Sequence, residues 1–329
     1  MRQGVDEANG GMDTIAGVIS SAKVFNGILA AVEEGILDVL TDTSPVPLET
    51  LASATGTLPG PLRSLLRGLA GAGLVQESEQ GWLLSKSGAR LSPSHPRSAH
   101  PLLKLQAWGV ESHVNLAGIR SALRGRRNPT EVPDALVPTL ASAMRLGASI
   151  PSLFISRVPE LRSARHLVDV CAGPAQYALA LCRTHRGLRV TALDREPMIA
   201  SARRLLEAED EGVAARVDTV AWDLHADPIP VNMDAALVSH VLHLLDERER
   251  RDLLRRIAER MDSGGVLLLH DFLAPDVDGG VVIDWLTLGA CFDLSVPELA
   301  GEVESAGFDF LRASRMAEAG TSLVIARRR

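Results

Sequence analysis

The chain has 329 residues, enough for one large domain or two of average size, and ordinary shares of hydrophobic (46%) and charged (23%) residues exclude disordered and fibrous architectures. A net charge of −7 gives no global pull toward nucleic acid or anionic membranes. Aromatic residues make up only 3%, too few rings for a base-stacking surface.

Residues 1–12 are polar and glycine-rich and predict a flexible tail. No basic segment leads into an apolar one there, so no signal peptide is expected. Over 15–40 the apolar residues Val18, Ile19, Val24, Ile28, Leu29, Val32, Ile36, Leu37 and Leu40 recur at helical spacing. They are more than one face needs, which points to burial against a partner. Helices are predicted over 48–55 and 62–72, with Gly73 as a C-cap. Short strands at 74–76 and 82–84 flank a polar tip and read as a hairpin. Three helices and a two-stranded wing predict a winged-helix domain over 13–98. As a DNA reader its helix at 61–69 would offer only Arg63 and Arg67. A scaffold for dimerisation is therefore expected, with no nucleic-acid partner.

Residues 99–164 read as a helical linker, with helices over 99–123 and 133–155. The basic loop between them, carrying Arg124, Arg126 and Arg127, reads as solvated. Trp108, Met144 and Phe154 are candidate pocket-lining residues, for which ordinary core packing is an equal reading. No apolar run is read as long enough for a membrane span, the stretch 280–290 being broken by Asp284. The three cysteines, Cys171, Cys182 and Cys291, show neither a disulfide framework nor metal spacing. A soluble, cytoplasmic protein is expected.

From residue 165 the texture changes to strands alternating with helices. Strands are predicted at 166–171, 189–193, 217–221, 235–238 and 266–270, and helices at 176–184, 198–209 and 246–261. That alternation means a doubly wound α/β sheet over 165–329, with ligands beyond the carboxyl ends of its strands. The first strand runs into Ala172-Gly173-Pro174-Ala175 and a helix. Such a turn lets backbone approach a ligand and aims helix N–H groups at negative charge. Asp194 ends the second strand about twenty residues on, a position suited to a ribose diol. Asp223 ends the third, where an acceptor can meet an adenine amino group. Each acid taken singly reads equally well as a helix cap.

The stretches VDVCAGPAQYALAL, RVTALDREPMIASARR and VSHVLHLLDERERRDLLRRIAERMDSGGVLLLHDFL, followed by ESAGFDFL, resemble the S-adenosylmethionine-dependent O-methyltransferases of natural-product pathways, including the acetylserotonin methyltransferases. The likeness runs from about residue 14 to the end. VFNGILAAVEEGILDVL resembles that family's dimerisation helix. The resemblance implies a class I methyltransferase Rossmann-like fold behind an N-terminal winged-helix dimerisation domain, hence a homodimer. It implies S-adenosylmethionine as cofactor, held by Asp169, Cys171, Ala172, Gly173, Asp194, Arg195, Asp223, Leu224 and Ser239. His243 takes the place of the catalytic base, which deprotonates a hydroxyl of a small-molecule acceptor. Asp271 and Asp293 take the places of its two orienting acids, one methylene shorter than the usual glutamates. Trp108, Met144, Trp285, Cys291 and Phe292 are the implied acceptor lining.

The chain departs from the family in three places. Cys171 and Ala175 stand at glycine positions, Pro174 removes an N–H donor, and Leu244-Leu245 replaces the usual Asp-Trp. Two rival readings follow: a methyltransferase-like enzyme recruited to hydroxylation, decarboxylation or cyclisation, and a metal-assisted C-methyltransferase of small acids. His240, His243, His270 and Asp271 are the candidate ligands for the latter, but Leu244 stands where metal-binding relatives carry an acid, so no catalytic metal is expected. A winged-helix regulator of DNA is a third.

Overall fold

A computed structural model of the chain describes residues 2–126, 132–275, 279–288 and 294–329, and within these all side chains except those of 2–13, 285 and 288. The chain divides into two units, Met1–Val110 and Glu111–Arg329.

The first unit opens with α1 (Arg2–Glu33), which is helical across the stretch for which sequence predicts a loose tail. No proline precedes Pro45, so nothing interrupts its hydrogen-bond ladder. By length and composition its segment Thr14–Glu33 is able to cross a membrane, with a mean hydropathy of 1.7. This corrects the expectation that no such run exists. Glycines, alanines and serines dilute the pattern, so the window looks milder than its sum. After α1 come α2 (Ile36–Val39), α3 (Leu48–Thr55) and α4 (Pro59–Gly71). The hairpin β1 (Val75–Ser78) and β2 (Gly81–Leu84) stands where the wing is expected. Val32, Leu37, Leu40, Leu51, Leu66, Leu69 and Trp82 form the core of these elements. Trp82 is locked by two 2.8 Å backbone hydrogen bonds with Val46. Gly81 permits that approach: its φ is 134°, and a Cβ there would lie 2.3 Å from the Val46 carbonyl oxygen. α5 (His100–Ser112) leads into the second unit.

The helix predicted over 99–123 is broken in two, because the Asn115 side chain caps a new helix, α6 (Leu116–Ala122), by accepting from the Gly118 N–H at 3.0 Å. The helix predicted over 133–155 is likewise split, into α7 (Val137–Gly147) and α8 (Ser149–Ile155). Of the basic loop between the two predicted helices, Arg127 lies outside the described residues.

The rest is a seven-stranded sheet. In chain order its elements are β3 (His166–Val170), α9 (Gln176–Thr184), β4 (Arg189–Asp194), α10 (Glu196–Glu207), α11 (Glu211–Ala214), β5 (Val217–Ala221), β6 (Met233–Ser239), α12 (Glu247–Arg260), β7 (Met261–Asp271), α13 (Gly279–Leu288), α14 (Val296–Ser305), β8 (Phe308–Met316) and β9 (Thr321–Arg328). The strand order is β5-β4-β3-β6-β7-β9-β8. The first five are parallel, and β9 and β8 close the sheet antiparallel. The central strands are apolar on both faces because helices cover both. Val168, Val238, Leu267 and Leu269 pack toward α12 and α14, where Leu253, Leu254, Ile257 and Leu299 meet them. Leu167, Ala192, Leu237 and Leu268 pack on the opposite face with Ala178, Leu181 and Ala202 of α9 and α10. Chain order reverses between β3 and β6, so the carboxyl ends of those strands form the crevice where a doubly wound sheet takes its ligand.

Candidate active site

Two features face each other at that crevice. The first is the turn after β3. Cys171, Gly173 and Ala175 all take the left-handed conformation, with φ of 55°, 58° and 61°. Two of the three are not glycine, so the turn holds strained backbone of the kind that clusters at functional sites. It is pinned from the neighbouring strand end: Asp194 accepts the Gly173 N–H at 2.8 Å and the Arg195 N–H at 2.7 Å. Burial raises the Asp194 carboxyl, and these two donors work against it. At Gly173 a Cβ would stand 2.7 Å from the Met144 methyl carbon. Met144 of α7, expected in the acceptor lining, therefore lies against the turn after β3 and packs beside Met198.

Beneath this turn Asp169 is 1% exposed, and neither carboxyl oxygen has a hydrogen-bond partner among the described residues. Burial, with the Asp194 charge beside it, pushes its carboxyl up to about 8, so it is protonated at neutral pH. A cradle open only at glycine, a pinned carboxyl at the next strand end and an orphaned buried acid suit a ligand that carries both a diol and positive charge. The other residues expected at the cofactor stand at or just beyond the ends of β3, β4, β5 and β6. Ala172 donates its N–H to Leu193 O at 2.9 Å. Arg195 is exposed at the N-cap of α10. Asp223 is exposed and accepts the His225 N–H at 2.8 Å, while Leu224 O accepts from Arg256 at 2.7 Å. Ser239 is turned away into the sheet, where its hydroxyl meets His270 Nδ1 at 2.8 Å.

The second feature is the turn Leu242–Leu244 after β6, which presents His243. His243 and Asp271 are each 1% exposed, and His243 Nδ1 lies 2.5 Å from Asp271 Oδ1. The carboxylate also accepts the Leu242 N–H at 2.7 Å and the Phe272 N–H at 2.8 Å. Burial alone would raise Asp271, but the facing His243 and these donors bring it below the ordinary carboxylate value. An ionised Asp271 assigns the proton to Nδ1 and leaves the lone pair on Nε2. A buried imidazole so oriented is suited to accept a proton from a bound hydroxyl.

A further cluster stands beside this pair. His240 has φ 56°, and its ring lies edge-on to His270 at 4.6 Å and against Phe272 at 5.0 Å. Burial lowers the His240 imidazole and takes that of His270 to about 3, so both are neutral. His270 is wholly buried, and both of its ring nitrogens are engaged, by Ser239 and by Thr321, each at 2.8 Å. Of the four candidate metal ligands, the structure brings His240, His243 and Asp271 together and commits His270 elsewhere. The sequence reading missed Phe272, Tyr177 and Thr321. The last two are apolar-context residues on α9 and β9 that only the sheet order brings to His270.

Three expected site residues, Cys291, Phe292 and Asp293, lie outside the described residues. Trp285 is on α13, its side chain likewise outside them, and Trp108 is a half-buried residue of α5 in the first unit.

Residues 168–267 match the family model described as a methyltransferase domain. A 3-hydroxy-5-methyl-1-naphthoate 3-O-methyltransferase of Streptomyces sahachiroi is 35% identical over 123 residues, which is 37% of this chain and 35% of that protein, so the match spans about a third of that relative's length. A 2,7-dihydroxy-5-methyl-1-naphthoate 7-O-methyltransferase of Streptomyces carzinostaticus is 28% identical over 273 residues, 78% of this chain and 81% of the other. Among solved structures, the mitomycin 7-O-methyltransferase superposes with a TM-score of 0.85 at 25% identity, covering 99% of this chain and 100% of that one.

Proposed function

We propose that the chain, which carries a methyltransferase domain over 168–267 and the fold of a natural-product O-methyltransferase, is an S-adenosylmethionine-dependent enzyme that methylates a hydroxyl of a small acceptor, with His243 as general base. The observation that carries this reading is the 2.5 Å His243–Asp271 pair, buried at a strand end beside the left-handed turn. When bound, S-adenosylmethionine supplies an electrophilic methyl carbon. Asp194 would hold its ribose, Asp223 and Leu224 its adenine side, and Asp169 with the 171–173 turn its amino-acid end. Cys171, Ala172 and Arg195 complete that shell, while Ser239, its hydroxyl on His270, would border it through backbone alone. His243 Nε2 would take the acceptor's hydroxyl proton, leaving the oxygen as nucleophile. Asp271 fixes the tautomer and balances the imidazolium that results, and Asp293 is assigned as the second orienting acid.

The surroundings of the base support an acceptor that is apolar next to its reacting group. Leu244 and Leu245 follow His243, so no charged side chain comes directly after the base in the chain. Relatives named for hydroxy-naphthoates take acceptors of that kind, while 3% aromatic residues leave few rings in this chain to clamp a flat one. The first unit acts as a winged-helix scaffold for a homodimer in the cytoplasm. Ile15, Val18 and Ile19 on α1 are more than half exposed, and Thr14–Glu33 is only 17% buried, which suits cover by a second copy.

The test is turnover of His243→Ala with a panel of hydroxy-naphthoates. Methyl transfer is expected to fall about 10²–10⁴-fold with cofactor affinity retained. Unchanged turnover would remove His243 from the role.

A further inference from the structure

We propose that His240, His243 and Asp271 form a binding site for a divalent transition-metal ion of the zinc class, one that competes with the base role of His243. One ligand atom from each residue lies within 4.8 Å of the other two. Ligands at zinc's usual bond lengths stand about 3.3–3.6 Å apart in a tetrahedral site, so closure needs little more than an ångström. His243 Nδ1 and Asp271 Oδ1, hydrogen-bonded at 2.5 Å, would have to part by about an ångström if both bind the ion. His240 stands at the half-buried edge of the cluster, its ring packed against His270 and Phe272.

The donor chemistry fits. Two imidazoles and a carboxylate are an ordinary set for zinc, cobalt or nickel. The second shell is built as well. Asp271 is oriented by the N–H groups of Leu242 and Phe272, and the His240 ring is confined by His270 and Phe272. The left-handed turn at His240 is held by its N–H donating to His270 O at 2.8 Å. His270 cannot join the set, because Ser239 and Thr321 occupy its nitrogens. Three protein ligands leave a coordination position to water.

The ion takes either the lone pair of His243 or the hydrogen bond that orients it. Occupancy is therefore inhibitory, a consequence that rests on His243 being the base. Binding itself does not rest on that reading.

The experiment is a cobalt(II) titration of the tag-free, chelator-treated full chain, followed by visible absorption, with zinc stoichiometry from equilibrium dialysis. One ion per chain is expected, with ligand-field bands that zinc abolishes. His240→Ala and, separately, His240→Gln are expected to weaken binding by about tenfold or more, with near-UV circular dichroism confirming the fold. Absence of bands in the wild-type chain overturns the proposal, as does wild-type affinity in folded His240 variants. Neither cofactor nor acceptor takes part, so its failure is separate from that of the proposed function, which the turnover of metal-free His243→Ala decides.

Discussion

His243 and Asp271 are 28 positions apart, and what joins them is β-sheet register. Ser239, at the end of β6, pairs with His270 on β7, so the turn after one strand meets the last residue of the other. His243 was legible from its local motif. The His270 network was not, because nothing near position 270 signals Thr321 or Tyr177. Asp169 makes a separate point about single residues. A carboxyl held near 8 in the folded chain ionises near 3.9 when unfolded. Between those values the folded state binds more protons, so stability declines as pH rises from about 4 to about 8 and levels off above. Asp169→Asn removes the titration. Its melting temperature without cofactor is expected to exceed that of the wild type at pH 8.5, with the difference shrinking toward pH 4.5. A pH-independent difference would show that Asp169 is not the group responsible.

At the scale of elements, those with strong apolar runs were legible. β3, β4 and β6 are buried along nearly their whole length, as their Val- and Leu-rich sequences predict. α12 is opened by a capping box between Asp246 and Glu249 and shows the amphipathic pattern read from 246–261. The breaks at Asn115 and Ala148 were not legible, since the hydrophobic period continues across both. Continuity of α1 through its glycines was missed for the converse reason: local composition suggests a tail, while no proline forbids a helix. The turn after β3 is the element with the sharpest consequence. Gly173→Ala places a Cβ in a left-handed residue and against Met144. A cost of about 1–2 kcal/mol follows, so cofactor affinity is expected to fall about tenfold. Calorimetry checks this, and affinity equal to the wild type's would show that the turn does not need glycine there.

For the whole molecule, composition bounded the answer and topology gave it a site. The charge of −7 and the few rings give no global pull toward nucleic acid. The alternation from residue 165 onward predicted a doubly wound sheet, and the strand order places its crevice between β3 and β6. The quaternary proposal belongs to this scale. A dimer held through α1 is expected to dissociate when Val18, 65% exposed, is replaced by Asp. Sedimentation velocity reads it directly: a dimeric wild type and a monomeric variant are expected, and a monomeric wild type contradicts the assignment.

The central claim is that the crevice between β3 and β6 holds S-adenosylmethionine with His243 at its edge, not within its binding shell. Calorimetric titration of the wild type and of His243→Ala with S-adenosylmethionine tests it most directly. One site per chain is expected, with nearly equal affinity in both proteins. No binding by the wild type, or affinity lost along with the His243 imidazole, would contradict it.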